Sequence, residues 1–411
     1  NQLLPKLFVL MHLPLKAVMI SYSLSSILIY YFTFIFLFYK WKDKSSAWML
    51  VLTFLVSSFH FFFWPCSELQ LGFAALVFFR AFLRRYPNML NTKFMIINFV
   101  FAVVLNLFHP LLLFPFVFLI GMEWLNRKHW QNIYRALAFV PAVLVFLLRY
   151  KIFPPDAYEA ARMISASKAI YSLQNFFSLP VTLQFESEQS VLLWRMFFAL
   201  SVSLIFLLIG KKFLQSAWLL ICWIGILFFV HTAFPLGESY FSMASYYMPL
   251  SFISVLVLSD ELQINFRKWL APIILLIIFL SFNYDLFAGR WMYVKRQKNI
   301  MSLTNELRQT GNTKWIIDNE TSATKNFYWT WAMGTESLLL SSLKLPVQTV
   351  TVYIQTPNSP VPDGLNKNSF IEMPYAPIIE TSTFNNKYFH LQNQEYKKLD
   401  NKIFEGIPIE N

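Results

Sequence analysis

The sequence predicts an all-α polytopic membrane protein of about ten membrane segments, with a small α/β-type lobe at its C-terminus. Three observations point there: the composition, a His-Pro break inside the longest apolar stretch, and the placement of lysine and arginine. Of the 411 residues, 56% are hydrophobic and only 14% charged, with mean hydropathy +0.47. No soluble core of this size needs so many long apolar runs. The formal net charge of +12 would suit a nucleic-acid partner. However, the basic residues gather in short loops between apolar runs, the signature of loops on the cytoplasmic side, so no nucleic-acid partner is expected. Cys66 and Cys222 lie in or beside apolar runs without metal-ligand spacing and carry no redox signal.

The longest stretch, 93–130, is apolar from Phe94 to Met122 apart from Asn98, Asn106 and His109. One helix of that span would be about 44 Å long, against a hydrocarbon core of about 30 Å. Pro110 cannot donate to the carbonyl of Asn106, and it pushes His109 out of helical geometry. Either one kinked helix or two helices turning at His109-Pro110 would satisfy this. Charge decides. With two helices, the inner loops 40–46, 80–93, 123–135, 210–213 and 259–268 hold fourteen Lys and Arg, and the outer links 64–67, 109–110 and 232–242 hold none. With one helix, the same charges split seven and seven. The positive-inside rule selects the broken pair.

The other elements follow in order. Spans are predicted at 17–39, 46–63, 69–83, 191–209, 214–230, 243–258 and 270–287, with a further apolar run at 133–148 and a mixed outer segment at 149–190. Residues 1–16, that segment and everything beyond 288 then lie outside. The chain divides into a transmembrane domain, 1–287, and an extracytoplasmic lobe, 288–411. The lobe opens with a helix stopping at Gly311, followed by a strand at KWIID (314–318), a helix at TESLLLSSL (335–343) and a strand at QTVTVYIQ (348–355). The Pro- and Asn-rich stretch 357–377 reads as loop. GxGxxG, P-loop and HExxH motifs are absent from the sequence.

Polar residues at the outer ends of spans are the candidates for chemistry, because charge near a bilayer is costly. Glu68 suits a general base, or an acid favoured by the positive end of its own helix dipole. His109 suits phosphate binding or proton transfer, or it satisfies the backbone opened by Pro110. Glu238, Tyr240, Tyr246 and Tyr247 suit a sugar-binding surface, although tyrosine also anchors at membrane interfaces. Arg195, inside an apolar run, either snorkels or binds a lipid phosphate. Arg162 and Lys168 belong to an amphipathic surface segment, 154–177. No cofactor is identified, and a divalent cation is left open.

The layout, with LNLFHPLLLFPFVFL (105–119) and SYYMPLSFISVLVL (245–258), resembles the GT-C superfamily of polytopic glycosyltransferases over residues 10–310. The resemblance implies transfer of a sugar from a polyprenyl-phosphate donor to a glycan, lipid or protein acceptor, on the outer side of a bacterial inner membrane. It implies Glu68 and Glu238 as acid/base groups. His109, Arg162, Lys168, Arg195 and Tyr246 fall on the substrate side, and membrane lipid is a partner. Members begin with a cytoplasmic end, a first helix and an acidic outer loop, so that helix and loop are expected to precede Asn1. An O-antigen polymerase or ligase, a transporter and a non-catalytic assembly component are the alternatives. The lobe following the last span counts against the first, and the single helix break against the second.

The charge count yields a topology test. In a chain lacking its native cysteines, an impermeant thiol reagent applied to intact cells should label Cys in Asn358→Cys and spare it in Ser45→Cys. Labelling only the second would invert the topology.

Overall fold

The computed structural model describes residues 3–58, 68–86, 92–126, 137–152, 173–189, 193–236, 240–263, 269–318, 327–330, 332–355, 361–372 and 378–400, with isolated positions 160, 164 and 167. The chain is mostly helical and forms two compact units. One is Leu24–Phe287; the other joins Asn1–Ser23 with Ala288–Asn411. Residues 1–23 group with the C-terminal segment rather than with the helices that follow them. Hydrogen bonds explain the grouping: the Tyr388 hydroxyl donates to the Leu13 carbonyl at 2.7 Å, and Lys387 Nζ to that of His12.

The helices are α1 (Leu3–Leu10), α2 (Leu15–Ile35, closing in a π turn over Phe36–Lys40), α3 (Lys44–Ser57), α4 (Glu68–Arg85), α5 (Thr92–Phe108), α6 (Leu113–Asn126), α7 (Val140–Ile152), α8 (Trp194–Ile209), α9 (Phe213–Ala233), α10 (Tyr240–Glu261) and α11 (Ala271–Gln309). Among the described residues, three helices are long and apolar enough to cross a membrane, Leu15–Lys40, Phe213–Ala233 and Ala271–Gln309, and shorter apolar helices accompany them. The helical unit is apolar both inside and out, with polar groups set among its buried side chains. Ile205, Ile221, Ile224 and Phe279 face outward while Thr53, Asn98, Ser203 and Ser254 are buried. That is compatible with a membrane protein, whose helices meet through small and polar groups and show apolar side chains to lipid. The Ser203 hydroxyl, for example, lies 3.0 Å from the Ser254 carbonyl across α8 and α10. Helix α10 is buried almost all round from Tyr247 to Ser259, as a helix apolar on every face must be.

At His109 the backbone is extended, φ −166° and ψ 135°, and Pro110–Leu112 form a 3-10 turn before α6. The His109 Nδ1 accepts from the Leu111 amide at 3.2 Å, satisfying one of the donors that a helix start leaves open. Leu112 fits against Gly72 of α4, where any Cβ would come within 2.0 Å of it. Hydrogen bonds then fix directions. At one end, Arg84 closing α4 and Gln263 just past α10 both donate to Ser45 of α3, at 2.7 and 2.6 Å. Lys212, just before α9, donates to Glu261 of α10 at 2.6 Å, and Gln215 of α9 donates to Asn126 closing α6, also at 2.6 Å. At the opposite end, Gln70 of α4 donates to Ser58 just past α3 at 3.3 Å. The stretch 93–126 is therefore two helices meeting at His109-Pro110, and these helix ends alternate between the two ends of the unit.

The second unit is built on a parallel sheet. Strand β1 (Lys314–Asp318) lies between β2 (Thr351–Gln355) and β5 (Lys397–Lys398), and α12 (Met333–Lys344) connects β1 to β2. Alternation decides the faces. Trp315, Ile317, Val352 and Ile354 join Ile300, Leu303 and Leu307 of α11 in one core, while Ile316 and Tyr353 pack with Ile371 on the other face. Gly311, at φ +79°, ends α11 where the sequence predicts. Within the stretch read as loop, β3 (Ser369–Phe370) pairs antiparallel with β4 (Ile379–Glu380) just beyond it.

Lys314 is fully buried in this unit, donating to the carbonyls of Lys367 and Ser369 at 2.7 and 2.8 Å. Burial pulls its ammonium down to about 8, whereas an unfolded lysine titrates near about 10.4. Between those values the unfolded chain binds more protons, so stability must rise with pH through that window and be flat below it. Tyr396, whose ring centroid lies 5.8 Å from the Lys314 amine, is pushed up by burial and opposes the trend only above about pH 10. Exchange-derived opening free energies of the β1 amides should increase from pH 8 to 10 in the wild type and stay level in Lys314→Met.

Candidate functional site

Seven residues were predicted to carry the site. Arg162, Lys168 and Glu238 lie outside the described residues, and Glu68 opens α4 with its side chain outside them as well. The convergence expected of Glu68, His109 and Glu238 therefore rests on side chains beyond the description. His109 takes the backbone-satisfying role at the break. Tyr246 is half-buried, with its ring stacked on Phe234 at 4.3 Å between centroids.

Arg195 does not snorkel. Its side chain is fully buried, with one Nη donating to the Ser58 carbonyl at 2.7 Å and lying 2.8 Å from the Asp285 carboxylate of α11. The Phe282 ring covers the guanidinium at 5.7 Å. A buried charge must be paired this way, because solvation lost on burial is recovered only from a close counter-charge and hydrogen bonds.

A second buried group sits where α9 ends and α10 begins. His231 Nδ1 is 2.9 Å from the Thr182 hydroxyl, and its Nε2 is 3.0 Å from that of Tyr247. Thr182 donates its own proton to the Phe176 carbonyl at 2.9 Å, so its oxygen accepts from Nδ1–H. Nε2 then carries the lone pair and accepts from Tyr247. Phe176 and Phe185 enclose the imidazole. These bonds tie the short helix Pro180–Gln184 to the bundle.

A third cluster occupies the opposite end. Asp260 of α10 holds both Arg80 and Arg84 of α4, the latter at 2.6 Å, while Glu123 of α6 lies 3.9 and 3.7 Å from their Nε atoms. From sequence alone, Arg80, Arg84 and Lys212 counted only as positive loop charges. Among the described residues, no group of three or more His, Cys, Asp or Glu side chains could hold a metal ion.

No protein-family model, curated protein or solved structure matches this chain. The fold and these clusters define a mostly helical protein, compatible with a membrane, that buries paired charges and a hydrogen-bonded histidine between its helices.

Removing one member of the Arg195–Asp285 pair strands a buried charge. Arg195→Met should cost about 3–5 kcal/mol, and Arg195→Met with Asp285→Leu should recover most of it. Unfolding of the detergent-solubilised variants measures both.

Proposed function

We propose that the chain is an integral membrane glycosyltransferase of about ten segments with its C-terminal lobe outside the cytoplasm. It moves a sugar from a polyprenyl-phosphate donor to an acceptor on the outer side of a bacterial inner membrane. The observation that carries this reading is the gathering of polar side chains from separate helices at one end of the bundle. Ser58, Gln70, Arg195, His231 and Tyr247 all stand at that end, and Asp285 joins Arg195 there. The same end is the outer one by charge, and the turn at His109-Pro110 belongs to it. Polar groups at such depth are costly and mark substrate paths by default.

In this reading Glu238 or Glu68 takes the proton of the acceptor hydroxyl as it attacks the anomeric carbon. The bond from that carbon to the lipid phosphate breaks, and the phosphate leaves with the bonding pair. His109, Arg162 and Lys168 supply positive charge or donors on the phosphate side, the tyrosines around Tyr246 offer faces for the sugar, and Arg195, matched by Asp285, only braces the helices behind them.

The test is release of polyprenyl phosphate from labelled lipid-linked sugars by the full chain in liposomes. Glu238→Gln should lower kcat by about 10²-fold or more with an unchanged unfolding midpoint. Absence of turnover with every polyprenyl-phosphate sugar offered would overturn the reading.

A further inference from the structure

Helix α1 is eight residues long, and a helix that short does not hold together in water without packing. Seven of its residues are apolar, Lys6 being the exception, yet none of the eight is buried. Leu3, Leu7 and Leu10 are 85%, 51% and 75% exposed, and Met11 just beyond them is 59% exposed. At 100° per residue the three leucines fall within about 60° of arc. Leu4, Pro5, Phe8 and Val9, on the other side, are half-buried. The leucine face is the open one, and an open apolar face of this kind marks a membrane or partner surface.

Two features say what covers it. The first is where α1 ends. The Leu13 amide donates to the Phe8 carbonyl and the His12 amide to that of Val9, both at 3.0 Å, with His12 at φ +55°. These bonds close the helix in a fixed turn, and α2 begins at Leu15. Five residue steps reach at most about 18 Å, so α1 stays close to the start of a helix long and apolar enough to cross a membrane. That helix shows its own exposed stripe through Ile20, Leu24, Ile27 and Tyr31.

The second feature is charge. The first carboxylate in the sequence is Asp43, so residues 1–42 carry lysines and no acid. Lys6 and Lys16 are exposed on either side of the turn, and the exposed Lys387 donates to the His12 carbonyl. Lipid phosphates match these ammonium groups, whereas a second copy of α1 would set like charge against like.

We propose that α1 is an interfacial anchor. Its leucine face lies in the head-group layer where α2 enters the bilayer, with Lys6 and Lys16 reaching up to the lipid phosphates. The partner is the phospholipid surface itself. Tyr388 donates to the Leu13 carbonyl at 2.7 Å, so the anchor moors the C-terminal segment through the α1–α2 turn. This inference rests on α2 crossing a membrane and is independent of the transferase reading.

The test uses the full chain without its native cysteines, reconstituted in phospholipid vesicles with one nitroxide-labelled cysteine at a time. Collisions with oxygen, which concentrates in lipid, are compared with those of a water-soluble nickel chelate. Leu7→Cys and Leu10→Cys should favour oxygen, at a depth of about 5–10 Å, and Ile27→Cys on α2 is the lipid reference. Adding Leu7→Glu should abolish the oxygen preference at Leu10→Cys, while the Ile27→Cys reading and the unfolding midpoint stay unchanged. Nickel dominating at Leu7 and Leu10 but not at Ile27 overturns the anchor alone, as does an oxygen preference that survives Leu7→Glu. Nickel dominating at Ile27 as well overturns the membrane reading beneath it. Few collisions with either reagent at Leu7 give the face to protein and overturn the lipid assignment.

Discussion

The helical unit depends on one carboxylate at the end of its most buried helix. Asp260 closes α10, which is surrounded along most of its length, and it engages two arginines of α4. Arg84 reaches on to Ser45 at the start of α3, and Glu123 of α6 stands against the same guanidinium groups. Apolar packing alone would let neighbouring helices slide by a turn, since one greasy face resembles the next. A charge that must meet its partner inside a low-dielectric region cannot slide, because the misplaced state strands it. Asp260 thus sets the axial register of three other helices against α10.

At the opposite end the same logic acts through Arg195 and Asp285, with His231 and Tyr247 nearby. Between the two polar ends, contacts are made by aromatic rings, small hydroxyls and glycines. Gly121 shows the tolerance: a Cβ there would fall within 2.4 Å of the Trp218 indole, whose N–H donates to the Phe118 carbonyl of α6 at 3.2 Å. Close approach of α6 and α9 therefore requires glycine, and the indole then serves as both filler and donor.

Much of this architecture was legible in the sequence. Helix positions follow from apolar runs, which need no partner to be recognised. The break at His109-Pro110 follows from the missing proline donor together with the loop charges, and the turn geometry supports both. The lobe's first strand, its helix and its second strand followed from alternation and turn residues. Helix α11 runs unbroken from Ala271 to Gln309, so the predicted span and the predicted exit helix are one element; no proline or glycine lies between residues 273 and 288 to divide them. What stayed hidden were the pairings. Asp260 and Arg84 are 176 positions apart, and no local pattern marks which carboxylate a buried arginine will meet. His231 looks like an ordinary end-of-helix residue until Thr182 and Tyr247 flank it.

The hydrogen bonds around His231 have a direction. Tyr247 gives to the imidazole, the imidazole gives to Thr182, and Thr182 gives to the Phe176 carbonyl. A backbone carbonyl accepts but holds no proton to pass on, so the series is a one-way street with a closed end. Each member can return a proton only by turning its own hydroxyl or exchanging tautomers, and all three must turn together. Four polar groups are thereby satisfied next to an apolar bundle, and protons have no route along them. The arrangement works like a keyed lock: each donor has one acceptor it fits, so the segment carrying Thr182 can seat against α9 and α10 in one orientation only.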